Sequence, residues 1–139
     1  MSTKLVTIAV TAALLCLGAP QLASAKNSAP LGYQLMCLQT PAECKGGGKS
    51  VVEGSAKTMA TLRKVNASVN RSITPRADGA VDRWSASGAS GDCEDYVLAK
   101  RRALIKAGFS PSALRIAYVK TSWGEGHAIL VVKTSIRIS

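Results

Sequence analysis

Between Asp92 and Lys133 the chain carries one helix-length segment followed by two short β-branched runs, and this order narrows its architecture more than any other feature. Asp92 is a good N-cap residue, and Asp95 stands three positions on, where a capping acid helps. Lys106 falls in the last turn and Gly108 takes the position where helices commonly end on glycine. Leu114 to Lys120 and Ala128 to Lys133 are apolar, β-branched and of strand length. The link Thr121-Ser122-Trp123-Gly124-Glu125-Gly126 predicts a hairpin.

Upstream, Val51, Ala56, Met59, Leu62, Val65 and Val69 recur at roughly helical spacing, with Lys57, Arg63 and Lys64 on other faces, and predict a helix over 51–69. Residues 72–91 hold Pro75, Gly79, Gly88 and Gly91 among small polar residues and read as loop, anchored to the core by Trp84. Residues 26–50 contain Pro and Gly, end in Gly46-Gly47-Gly48, and read as an irregular N-terminal segment. No internal repeat is visible.

Residues 1–25 read as a signal peptide: Lys4 gives a positive start, Leu5 to Leu17 is apolar, Pro20 breaks the run, and Ala23-Ser24-Ala25 is a small-x-small cleavage pattern. The alternative is an N-terminal membrane anchor, for which the apolar run is short. The expected mature chain is then 26–139, one small domain with one core and without a stable membrane span, exported to the periplasm or secreted. Without Lys4 it carries seventeen basic and eight acidic side chains, about +9. That charge favours acidic partners and anionic surfaces. It does not point to nucleic acid, because the cations are spread along the chain and aromatics are few.

Cysteine usage follows from export. Cys16 would leave with the signal peptide. Cys37 and Cys44 are seven apart around Pro41, so a small disulfide loop is feasible in an oxidising compartment. Its closure would stabilise by roughly 2–3 kcal/mol. Two free thiols or a metal site are the alternatives, the latter disfavoured by a single histidine. If the two pair, Cys93 is the odd thiol, reactive or intermolecular.

Cys93 would open the second helix, where unpaired amides and the helix dipole favour a thiolate. Gly88-Ala89-Ser90-Gly91 lets backbone approach a substrate, and the Cys93 amide could help hold an oxyanion. Asp92, Glu94 and Asp95 oppose this by crowding the thiol with negative charge. His127 is the sole histidine and leads into the last strand, a firm mounting for a general base. A buried structural cysteine and a surface histidine are the bland alternative.

The strings Gly91-Asp92-Cys93-Glu94-Asp95-Tyr96, Ala99-Lys100-Arg101-Arg102 and Gly124-Glu125-Gly126-His127-Ala128 resemble the bacterial transglutaminase-like cysteine proteinases. Cys37 with Pro41-Ala42-Glu43-Cys44, the Val65-Asn66 to Val69-Asn70 stretch and Trp84 extend the resemblance from about Leu31 through Val132. It implies an α+β, papain/transglutaminase-like domain over 26–139, with helices packed on a small antiparallel sheet. It also implies Cys93 as nucleophile, His127 as base, and a protein substrate, with large surface adhesins among the substrates of some members. Calcium dependence in some members implies Ca²⁺ held by Asp92, Glu94 and Asp95. Two or three carboxylates with carbonyls and water can supply its oxygens, and the bound ion would cancel the field opposing the thiolate. A helix-capping role for these acids is the alternative, and the two are compatible.

The resemblance further implies a catalytic Asp on the strand after the His strand. Thr134-Ser135-Ile136-Arg137-Ile138-Ser139 offers no Asp, Asn or Glu, and no carboxylate follows Glu125. The expectation is therefore a proteinase domain incomplete at its C-terminus. The alternative is a catalytically impaired relative acting as a basic periplasmic binding module. Acyl transfer to an amine uses the same Cys–His chemistry and is a third reading.

Overall fold

A computed structural model describes residues 28–135. The expected signal peptide at 1–25, and 136–139 of the final stretch, lie outside the described residues. Among the described residues the architecture is α+β: three helices, two two-stranded sheets and short 3₁₀ turns. No helix among the described residues is long and apolar enough to cross a membrane.

The segment expected to be irregular holds helix α1, Leu31–Gln39, and a 3₁₀ turn, Pro41–Cys44. Gly32 and Met36, one turn apart, form the buried face of α1. A side chain at position 32 would collide with the Trp84 indole, which packs edge-on against Tyr33 at 5.4 Å between centroids. Sequence pattern missed α1 because tertiary contacts sustain so short a helix. A Cys37–Cys44 disulfide joins it to the turn that follows.

Helix α2 spans Ala56–Ser72 rather than 51–69. Ser55 caps it, accepting the Thr58 amide at 3.2 Å, and Gly54 just before the cap is a poor helix former. Val52 instead forms a parallel bridge with Thr134. The 72–91 segment is mostly loop, as expected, but its ends are tied together. Strands β1, Thr74–Pro75, and β2, Ser90–Gly91, pair in parallel, and the Arg76 amide donates to the Gly91 carbonyl. Trp84 is buried and anchors this loop to the core.

Helix α3, Cys93–Lys106, ends as expected. Gly108 has φ +94°, its amide reaching Ile105 and the Phe109 amide reaching Leu104, the double bond of a Schellman stop. The start differs from expectation. Asp92 occupies the N-cap position, but its side chain makes no capping hydrogen bond.

Strands β3, Leu114–Lys120, and β4, Gly126–Val132, form the antiparallel hairpin. β4 begins two residues earlier than the sequence pattern placed it, so His127 lies within the strand, opposite Val119. Gly126 pairs with Lys120 at the start of the strand, and the Tyr118 phenol lies where a side chain at position 126 would stand. The inner face of the hairpin packs on α3. Met36, Trp84, Val97, Leu98 and Ala128 form the central cluster, with Cys93 against it.

Candidate active site

Helix α3 presents a stripe of Cys93, Tyr96, Val97, Lys100 and Leu104 at helical spacing to an open groove of about 800 Å³. Leu62, Val65 and Asn66 of α2 form one wall. His127 to Leu130 and Val132 of β4 form the other. Asp92, Cys93 and His127 share one end of this groove.

The strand reaches the thiol through its backbone. The Ala128 amide donates to Cys93 Sγ at 3.4 Å, next to His127. Thus the residue beside the expected base touches the expected nucleophile. The imidazole is exposed, and among the described residues it makes no hydrogen bond. The thiol proton goes elsewhere: Cys93 Sγ donates to Glu94 Oε2 at 2.6 Å.

The contest between helix start and neighbouring acids is therefore decided against the thiolate. Burial, then the Glu94 hydrogen bond, push the Cys93 thiol up from 9.0 to about 11. The Ala128 amide pulls the other way, and the charges of Glu94 and Asp92 add to the rise. Burial also lifts the Glu94 carboxyl above its ordinary range, against the lowering bonds from Cys93 and its own backbone. Asp95 is lifted by burial as well, although it accepts the Ser85 amide at 2.7 Å.

The three acids of the cluster do different work. Asp95 is buried and holds the Trp84 loop through Ser85. Gly91 is glycine because the Asp95 carboxylate fills the place of a side chain. Glu94, also buried, holds the thiol. Asp92 Oδ1 is buried with no partner among the described residues. For calcium the donor chemistry fits, since these are carboxylates and one oxygen is orphaned. Glu94 Oε2 and Asp95 Oδ1 are engaged within the protein, however, and among the described residues no three acidic, His or Cys side chains converge to hold a metal. No catalytic step is derived through an ion.

Arg101 and Arg102 support the site from the far side of α3. Buried Arg101 donates to the Glu43 and Lys45 carbonyls at 2.6 and 3.0 Å, and Arg102 pairs with the Glu43 carboxylate. These bonds clamp the disulfide loop to the helix that carries Cys93. Glu43 lies between the paired cysteines, so its partner was beyond reach of local pattern.

Sequence reasoning placed Cys93, His127 and the acids, and missed the remainder of the groove. Lys100 was recoverable, because it lies seven residues after Cys93 on the same helical face. Arg76 and the α2 wall were not, since only the tertiary fold brings them to α3.

Residues 23–136 match the family described as bacterial transglutaminase-like cysteine proteinase. Among curated proteins none matches the chain.

Proposed function

The chain belongs to the bacterial transglutaminase-like cysteine proteinases, and on that premise we propose that it is an exported peptidase in which Cys93 is the nucleophile and His127 the general base. One observation carries this reading: the Ala128 amide touches the Cys93 sulfur, so the strand bearing His127 lies directly against the helix start bearing the thiol.

In the proposed reaction Cys93 Sγ attacks a peptide carbonyl. Its proton passes to the His127 imidazole and then to the departing amine as the C–N bond breaks. Water, deprotonated by the same imidazole, cleaves the acyl-thioester and restores the thiol. The Cys93 amide, at the first position of α3, is free of an intrahelical partner and suits the developing oxyanion. The thiol held by Glu94 is then a resting state, and Glu94 must release it before attack.

Calcium belongs to the proposal as the group that would draw on Asp92, Glu94 and Asp95, supplying positive charge beside the thiol. Export is supported by the leader-like 1–25 pattern and by the Cys37–Cys44 disulfide, which suits an oxidising compartment. A surface adhesin remains a proposed substrate on the resemblance alone.

A second reading, a catalytically impaired basic binding module, draws on the thiol's bond to Glu94 and on the imidazole without a carboxylate partner among the described residues. Intact-mass spectrometry after acid quench separates the two. With an activated peptide ester, the proteinase reading expects one acyl group on Cys93. Persistence of that adduct in Cys93→Ala, or its absence from the native chain, would favour the second reading.

A further inference from the structure

Helix α2 carries four cations and no acid in its seventeen residues. Lys57, Lys64 and Arg71 recur every seven residues and so share one face, with Arg63 beside Lys64. All four are exposed. On the opposite face Val69 is buried and Thr58, Leu62 and Val65 are partly buried, and α2 packs on α3.

Local stability does not account for this pattern. Lys57 lies in the first helical turn, where the dipole disfavours a cation, and no acid stands there. A solvated helix gains from a Glu four residues before a Lys or Arg. Ala60 stands four before Lys64, and Ala67 four before Arg71. Nor does the rest of the fold supply a partner, since among the described residues the ion pair is Arg102–Glu43. The acids gather elsewhere, five of the eight within 78–95, which leaves the outer face of α2 wholly positive.

The make-up of this face selects its partner. From Lys57 to Arg71 it runs fourteen residues, about 21 Å. Ala60, Thr61, Ala67 and Ser68 stand between the cations, with no aromatic or large apolar side chain. A folded protein partner is anchored by such side chains, and single-stranded nucleic acid by aromatic stacking. A layer of phosphate headgroups needs only clustered charge on an open helix face. We propose that the outer face of α2 seats this protein on an anionic phospholipid bilayer, with Lys57, Arg63, Lys64 and Arg71 among the headgroup phosphates. Helix α3, which carries Cys93, packs on the other side of α2 and so lies away from the bilayer. The proposal does not depend on catalysis, and binding is measured without it.

The test is flotation of the full chain with vesicles of phosphatidylcholine, with and without phosphatidylglycerol. Neutral vesicles set the contribution of the apolar run Leu5 to Leu17, and the gain in partition on adding phosphatidylglycerol reports the charge. Joint Lys57→Gln, Lys64→Gln and Arg71→Gln should lower that gain about a hundredfold, following roughly fivefold for each cation removed. Joint Lys106→Gln, Arg115→Gln and Lys120→Gln remove the same charge from exposed positions elsewhere and should lower it about threefold or less. Ala60→Glu with Ser68→Glu supplies partners within the helix, so the gain should fall while calorimetric Tm holds or rises. Equal losses in the two triple variants would assign binding to net charge and overturn the proposal. So would a gain untouched by Ala60→Glu with Ser68→Glu, or equal partition with and without phosphatidylglycerol. Retention on heparin without partition onto the anionic vesicles would assign the face to a soluble polyanion and overturn it as well.

Discussion

The Cys93 thiol donates to Glu94 Oε2 at 2.6 Å, so the residue next to the proposed nucleophile holds the proton that the nucleophile must lose. Neutralising that acceptor should loosen its grip while burial, the larger cause, persists. Glu94→Gln is expected to speed alkylation of Cys93 by iodoacetamide at pH 8 by about threefold to tenfold, following the gain in thiolate. In the native protein the rate should go on climbing from pH 9 towards the folded value of about 11. An unchanged profile in the variant would show that Glu94 does not hold the thiol.

The raised groups also fix the sign of the pH dependence of stability. Glu94 and Asp95 are both lifted above the unfolded values of 4.5 and 3.8. A raised folded value favours the protonated form in the fold. Its stabilisation is complete below the unfolded value and lost as pH rises through the folded one. Calorimetric Tm should therefore rise as pH falls from 7 towards the unfolded values of 4.5 and 3.8, and Glu94→Gln with Asp95→Asn should flatten the slope. A native Tm that falls on this mild acidification would contradict the assignment. Cys93 follows the same sign at alkaline pH, its contribution lost between 9.0 and about 11.

Arg101 should matter more than Arg102. It is buried at 6% exposure and satisfies two carbonyls flanking Cys44, whereas Arg102 is more open and pairs with one carboxylate. Arg101→Ala is expected to cost about 2–4 kcal/mol by denaturant unfolding, because two carbonyls of the disulfide loop lose their charged donor and the packing of a buried side chain is lost. Arg102→Ala should cost about 1 kcal/mol or less. Equal costs would refute the clamp.

The proposed calcium should act on the thiol through the acid cluster. Titration calorimetry with Ca²⁺ is expected to give a binding heat that Asp92→Ala and Glu94→Ala each reduce, together with faster Cys93 alkylation in the ion's presence. Equal binding by the native chain and both variants would remove the assignment.

The helix stop at Gly108 and the hairpin were legible because local chemistry dictates them: a glycine with φ +94° and two β-branched runs around a glycine turn. Helix α1 was not, since its buried face exists only through Trp84, some fifty residues away. The start of α2 was misplaced because hydrophobic spacing counted Val51, whereas Ser55 and Gly54 set the boundary. At the site, the types and positions of Cys93, His127 and the three acids could be read directly. Their division of labour could not, because it depends on Ser85, the Cys93 sulfur and the empty hydrogen-bonding place at Asp92 Oδ1, all settled by packing.

Cleavage of a protein or peptide substrate by the native chain, by Cys93→Ala and by His127→Ala is the most direct trial of the Cys93–His127 pair. The expected result is hydrolysis by the native chain, with kcat/KM lower by about 10³-fold or more in each variant, and no further loss when both are combined, since the two residues act as one unit. Hydrolysis that survives Cys93→Ala at the native rate would contradict it.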